Sequence, residues 1–362
     1  MARIAPVLLV LTLGAGALVS ASRTVLAKAP LAQQANRFAL IIQGTSGDPA
    51  FAKLHRSWLD RLAGTLRTRA RLDGERLIVL AEQPGDGEQR ASAENVRAAL
   101  TKLAATMKPD DLLFVMLIGH GGGEGPDAKF NLVGPDLSIA DWNNLLKPIA
   151  GRVAVVDATS SSFPYLAGLS APGRVVITAT NSYAQRYHTI FADAFIEALG
   201  AAAADADKNG RISLLEAFNL ASRLQAQHYE QDKRMATEKA VLDDTGDGVG
   251  RDASATGPDG TLAGVTYLDV VEVPKVADPE VQALLVRRQE LTEKVDALRR
   301  RQPDMAPAEF DKEFEALIIE LSLVSREIRR KGVVPRSVEK SGDFDRLCPL
   351  TFPQIEVRPT AP

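Results

Sequence analysis

His120 follows seven apolar residues, 112–118, and lies in the sequence Gly119-His120-Gly121-Gly122-Gly123. An imidazole can act as a general base near neutral pH, and glycines let backbone N–H groups approach a reacting oxygen. We therefore predict His120 as a general base and Gly121 as part of an oxyanion site. The apolar run must form a buried strand that delivers both residues to the carboxyl edge of a sheet.

A second apolar strand, 152–156, precedes Asp157-Ala158-Thr159, and Thr159 lies 39 residues after His120. That interval accommodates a helix and a strand, so two parallel neighbouring strands would bring the two positions together. Thr159 is then the candidate nucleophile. An alcohol must lose its proton during attack, and an internal threonine lacks the N-terminal amine that activates known threonine nucleophiles.

These strand ends resemble those of the caspase-like cysteine peptidases, most closely the legumain branch (peptidase C13). That family carries an apolar strand ending in His-Gly and a following strand ending in Asp-Ala-Cys or a relative. Gly119-His120-Gly121 and Asp157-Ala158-Thr159 match in order and spacing, and Ile177–Asn181 resembles the next family strand. The resemblance covers about residues 38–230. It implies a three-layer α/β/α sandwich with a mainly parallel sheet and a crevice for a peptide or protein ligand.

The chain departs from the family at the nucleophile, where Thr159 replaces the cysteine. A thiol is readily drawn to thiolate beside a histidine, whereas a hydroxyl is not. Our leading hypothesis is a homologue without peptidase activity that retains the crevice. One alternative is an active hydrolase that uses His120 with Thr159. A serine hydrolase is disfavoured, because Gly168-Leu-Ser170-Ala-Pro172 fails the nucleophile-elbow pattern at its last position.

An acidic loop at 205–216 matches the calcium loop of an EF-hand. Oxygen ligands occur at the required positions, with a glycine at the sixth: Asp205, Asp207, Asn209, Gly210, the Arg211 carbonyl, Ser213 and Glu216. Hard oxygen donors around a glycine turn are what calcium requires, so we predict one structural calcium ion. The alternative is that Ser213 and Glu216 only form a helix capping box. A second acidic turn, 243–248, lacks the glutamate at position twelve and is predicted as a turn with at most weak cation binding.

Strands and helices alternate from residue 37 to about 275, which favours one α/β domain. A long helix is predicted from the acidic loop to about Val241, and an edge strand at 265–273. Apolar residues at spacings of three, four and seven then predict a coiled-coil-like helical hairpin at 279–334. Its charged surface is either solvated or a site of protein contacts, and a scaffold acting through this hairpin is a further alternative. Residues 335–362 form a tail.

The chain has 362 residues, of which 45% are hydrophobic and 25% charged, with a net charge of -3. This balance gives no electrostatic reason to expect a nucleic-acid partner. Residues 1–21 resemble a secretory signal peptide and 22–36 a linker, so we expect a periplasmic or extracellular protein with no stable membrane span after cleavage. The single cysteine, Cys348, cannot form an internal disulfide.

Overall fold

The computed structural model describes residues 36–331 with the exception of 124, 186, 271–272 and 303–304. The predicted signal peptide, nearly all of the linker, Cys348 and the tail lie outside these residues. Within the described part of the chain, no helix is long and apolar enough to cross a membrane.

The strands occur in the expected alternation with helices. In chain order they are β1 Arg37–Gln43, β2 Leu77–Ala81, β3 Gln89–Arg90, β4 Leu112–Ile118, β5 Gly121–Gly122, β6 Lys129–Phe130, β7 Leu137–Ser138, β8 Arg152–Asp157, β9 Arg174–Thr178 and β10 Val241–Asp243. The α-helices are α1 Pro49–Arg69, α2 Ala93–Thr106, α3 Ile139–Leu146, α4 Phe163–Leu169, α5 Phe191–Gly200, α6 Leu214–Gln231, α7 Pro279–Arg301 and α8 Pro307–Arg330.

The main sheet has the order β3-β2-β1-β4-β8-β9-β10. All of its strand pairs are parallel except β9–β10. Strand β4 lies at the centre between β1 and β8, with Leu117 opposite Asp157. The prediction of a mainly parallel α/β sheet is therefore confirmed. A small antiparallel sheet, β5-β6-β7, follows β4 directly and includes Phe130 in its middle strand.

Helices cover both faces of the main sheet and complete three layers. Side chains of α1, α5 and α6 pack on one face with the even-numbered residues of β4, such as Phe114 and Met116. Side chains of α2, α3 and α4 pack on the other face with odd-numbered residues such as Val115. This alternation arises because successive side chains of a strand point to opposite faces. Strand β4 is buried along its whole length because both faces are covered.

The predicted continuation of α6 to about Val241 is wrong, since the helix ends at Gln231. Lys233 has a φ of 53°, a left-handed conformation that cannot continue a right-handed helix. The chain then returns to the sheet, where the buried Glu238 accepts backbone N–H bonds from Ile190 and Phe191 at the start of α5. Residues 241–243 form the antiparallel edge strand β10 instead of a helix.

The predicted edge strand at 265–273 is also wrong in its described part. Residues 263–265 form a short 3-10 helix, and Tyr267 makes only an isolated bridge with Ser213. The segment is bonded to the start of α6 and pairs with no strand of the main sheet: Leu214 donates its N–H to the Thr266 carbonyl. Val271 and Glu272 lie outside the described residues.

The two C-terminal helices form the predicted hairpin, which the structure describes to residue 331. Leu291, Val295 and Leu298 on α7 are buried. Asp296 on α7 forms an ion pair of 2.7 Å with Arg211, and both side chains are largely buried. The guanidinium of Arg211 also lies 3.6 Å from the centre of the Tyr267 ring. The hairpin is thus packed on the α/β domain next to the acidic loop.

Candidate functional site

The glycine loop after β4 passes very close to the turn that follows β8. A Cβ atom on Gly121 would lie 2.7 Å from Ser161 Cβ, 2.9 Å from the Lys129 carbonyl oxygen and 3.1 Å from Thr159 Oγ1. No side chain fits such a gap, so the sequence requires glycine at 121. The structure therefore brings the backbone at 121 and the side chain of Thr159 into direct proximity, as the adjacency of β4 and β8 requires.

Thr159 is buried, with 1% of its surface exposed. Its backbone N–H donates a hydrogen bond of 3.0 Å to Asp157 Oδ1, which fixes the turn. Its Oγ1 is inaccessible to solvent and makes no hydrogen bond of good geometry, although it lies close enough to the Asp157 carboxyl to oppose the rise in the pKa of that group. The side chains of Thr159 and His120, both fully described, are not hydrogen-bonded to each other. The hydroxyl is consequently neither presented to a substrate nor activated by the histidine.

The ring of His120 packs instead against α1. Its centroid lies 4.7 Å from that of Phe51, 5.0 Å from that of His55 and 6.0 Å from that of His188. We refer to His55, His120 and His188 as the histidine cluster. Each offers one ring nitrogen such that the three atoms lie within 4.8 Å of one another. Trp58 stacks on His188 with an interplanar angle of 5° and closes one side of the cluster.

Burial keeps the histidine cluster neutral. Burial, together with the neighbouring His120 and His188, lowers the pKa of His55 to about 4. Burial also lowers the pKa of His188, with a second contribution from His120. It lowers the pKa of His120, against an opposing hydrogen bond to the backbone of Ser46. Neutral imidazoles retain a lone pair for a proton or a metal ion.

Sequence reasoning missed His55 and His188 as partners of His120. Four histidines occur in the chain, and three of them belong to the cluster. His55 lies one turn after Phe51 on α1, where a polar residue among the apolar residues of the buried face was an available signal. His188 lies in the loop between β9 and α5. That a loop residue would approach the cluster could not be read from its position in the sequence.

The acidic loop brings together the carboxylates that were predicted from its spacing. Oxygen atoms of Asp205, Asp207 and Glu216 lie within 4.8 Å of one another. Gly210, with a φ of 83°, makes the turn between them. Burial raises the pKa of Asp207, and the nearby charges of Glu216 and Asp205 add to the shift. The loop is therefore a concentration of negative charge.

The same loop also forms the capping box that is its alternative interpretation. Ser213 Oγ accepts the N–H of Glu216, while Glu216 Oε2 accepts the N–H of Ser213 at 2.9 Å. Glu216 Oε1 accepts the N–H of Ala206 at 2.8 Å, and Asn209 Oδ1 accepts the N–H of Arg211. Both carboxylate oxygens of Glu216 thus hold backbone groups of the loop.

The carboxylates of the second acidic turn accept hydrogen bonds from backbone N–H groups of the same loop. Asp243 accepts N–H bonds from Thr245, Gly246 and Gly248, and Asp244 accepts those of Gly260 and Ala263. These carboxylates order the loop between β10 and residue 263.

A cleft of about 600 Å³ lies between α6 and residues 236–254, and Gln185 from the loop after β9 also contributes to its wall. Asn219, Ser222 and Gln225 line it from one face of α6, together with the buried Glu238. Neither His120 nor Thr159 lines this cleft.

Two solved structures resemble part of the fold. A protein of Geobacter sulfurreducens aligns at 15% identity over 57% of this chain and 92% of its own, with a TM-score of 0.37. The initiator caspase Dronc of Drosophila aligns at 11% identity over 59% of this chain and 81% of its own, also with a TM-score of 0.37. No family model matches the chain, and no curated protein matches its sequence.

The pH dependence of stability that Asp157 causes, at the end of β8, tests whether this site is buried. Asp157 is fully buried, its Oδ2 has no hydrogen-bond partner, and burial raises its pKa from 3.8 to about 6. The unfolded chain releases this proton more easily than the folded chain does. Stability of the wild type should therefore fall as pH rises from about 4 to about 6 through this group.

We expect the free energy of unfolding of the wild type, relative to Asp157→Asn, to decrease by about 2.5 kcal/mol between pH 4 and pH 8. Urea unfolding of both proteins across this range measures the difference. The histidines are present in both proteins, so their contribution to the pH dependence of the free energy of unfolding cancels in the comparison. A difference that stays constant with pH would show that folding does not raise the pKa of Asp157.

Proposed function

We propose that this chain is an exported caspase/legumain-like peptidase homologue that has lost peptidase activity. The observation that carries the proposal is the state of Thr159: its hydroxyl is buried, and it is not hydrogen-bonded to His120. The order of the motifs supports the relationship, because Gly119-His120-Gly121 and Asp157-Ala158-Thr159 follow the adjacent parallel strands β4 and β8.

The chemistry of the nucleophile supports the loss of activity. A thiol at position 159 could be ionised by a nearby imidazole, whereas the threonine hydroxyl needs a base within hydrogen-bonding reach during attack. One ring nitrogen of His120 instead lies within 4.8 Å of ring nitrogens of His55 and His188, and the ring interacts with the backbone of Ser46. The competing proposal, an active hydrolase that uses His120 with Thr159, requires both side chains to turn and the hydroxyl to become accessible.

We expect the purified protein to show no turnover of a mixed peptide library, because its hydroxyl is neither exposed nor activated. The measurement is mass spectrometry of the products against a buffer blank. His120→Ala, Thr159→Ala and, as a matched control, Ser160→Ala are assayed in parallel. Turnover that is lost in the first two variants and kept in the third would establish the active hydrolase. Cleavage that appears only in Thr159→Cys would support a decayed cysteine site.

We further propose that the acidic loop binds one structural calcium ion. Asp205, Asp207 and Glu216 supply clustered carboxylates, and Asn209, Ser213 and the Arg211 carbonyl supply the remaining positions. A cation would offset the mutual repulsion that helps to raise the pKa of Asp207. The ion would stiffen the junction between α5 and α6, next to the contact of Arg211 with the hairpin.

Calorimetric titration of the chelator-treated protein should give one calcium ion per chain. Glu216→Gln should weaken binding roughly tenfold or more, because it removes one ligand charge; its single amide oxygen can still accept the Ser213 N–H of the capping box, whereas the bond from Ala206 is lost. Asp247→Asn, in the second acidic turn, is the control and should leave the affinity unchanged. Absence of heat, together with an unchanged melting temperature in calcium, would leave the capping box as the only role of Glu216.

Two further parts of the proposal concern the ends of the chain. Export rests on the apolar segment within residues 1–21 and is tested by N-terminal sequencing of protein recovered from the periplasm or medium; a retained Met1 would contradict cleavage.

Protein contacts through the hairpin are favoured by Ile319 and Leu323, which are large, exposed and four residues apart on α8. An unchanged mass in solution after Ile319→Lys would argue against self-association there.

A further inference from the structure

We propose that His55, His120 and His188 form a binding site for a divalent transition metal, with Zn²⁺ as the ion that fits best. The site goes beyond the proposed function and does not depend on the state of Thr159. It is distinct from the acidic loop, whose oxygen donors suit calcium. Three neutral imidazoles are a donor set that zinc and its neighbours in the first transition row prefer.

The spacing of the ring nitrogens is close to that of a metal site. Three donor atoms lie within 4.8 Å of one another. Tetrahedral zinc with bonds of about 2.1 Å needs nitrogens about 3.4 Å apart, so no pair of rings has to close by more than about 1.4 Å. His120 and His188 are only half-buried and can make that adjustment. Their exposure also leaves a side from which a water molecule can complete the coordination.

His55 has a feature that ordinary packing does not explain. It is fully buried, and its Nδ1 lies 3.0 Å from Ser46 Oγ. Its Nε2 is also buried but has no hydrogen-bond partner. A buried polar atom without a partner costs about 1–3 kcal/mol, so such atoms usually have a role. A metal ion bound at Nε2 would satisfy this nitrogen.

Ser46 supplies the second shell that metal-binding histidines usually have. Its hydroxyl lies at Nδ1 of His55, and its backbone carbonyl accepts a hydrogen bond from the ring of His120. The N–H of Ser46 in turn donates to a Glu82 carboxylate oxygen at 3.3 Å. Partners of this kind fix the tautomer and the orientation of a ligating imidazole. One residue thus orients two of the three ligands.

The competing explanation is an aromatic cluster in which the imidazoles pack on Phe51 and Trp58. Stacking accounts for the position of His188 over Trp58. It does not require the nitrogens of three different segments to converge, and it leaves His55 Nε2 without a partner. The two explanations differ in one measurable property, which is affinity for zinc.

The test uses the full chain with any purification tag removed, treated with a chelator and titrated with ZnCl₂ in excess calcium, which occupies the acidic loop. We expect one zinc ion per chain. His188→Ala should weaken zinc binding roughly a hundredfold or more, since loss of even an outer-shell partner costs about 10–100-fold. Ser46→Ala should weaken it about tenfold. His228→Ala removes the exposed fourth histidine and should have no effect.

A second readout is the visible absorption of bound Co²⁺, which reports tetrahedral nitrogen coordination and should disappear in His188→Ala but persist in His228→Ala. Far-UV circular dichroism confirms that each variant is folded. The proposal is overturned if the wild type binds no zinc. It is equally overturned if the wild type and His188→Ala bind zinc with the same affinity and stoichiometry.

Discussion

The burial of β4 on both faces is the constraint on which the rest of the structure depends. All seven of its residues, Leu112–Ile118, are buried, with β1 and β8 as neighbours. Alternation then assigns each side chain to one layer: even residues to the side of α1, α5 and α6, odd residues to that of α2, α3 and α4. His120 lies two residues beyond Ile118 and meets α1 on the same side. Its contact with His55 follows from this geometry.

The two strand ends show how a backbone arrangement can persist without its reaction. The close approach of Gly121 to Thr159 is a property of the main chain, and it is tight enough to exclude any side chain at 121. A reaction needs more: an accessible nucleophile, a base in contact with it and a path for the substrate. Thr159 has neither exposure nor a hydrogen bond from His120. The neutral imidazole is instead available for coordination.

Much of the fold could be predicted from the sequence, because apolar runs such as Leu112–Ile118 and turn residues after them specify buried strands. The end of α6 could not, because a left-handed Lys233 and the tether through Glu238 are tertiary features. For the site, the order of the strands predicted that Thr159 lies near Gly121. The sequence did not predict the directions in which the side chains of Thr159 and His120 point. The histidine cluster depends on three segments meeting in space, which a single sequence does not reveal.

Both edge strands of the main sheet offer little backbone for strand addition. Strand β3 has only two residues, and β10 has three. Leu242 on β10 already exchanges both backbone hydrogen bonds with Arg251, each of 2.9 Å. An edge strand with free N–H and C=O groups would invite pairing with an extended peptide or a second copy. The isolated bridge between Leu242 and Arg251 therefore occupies the outer backbone groups of β10 at its central residue.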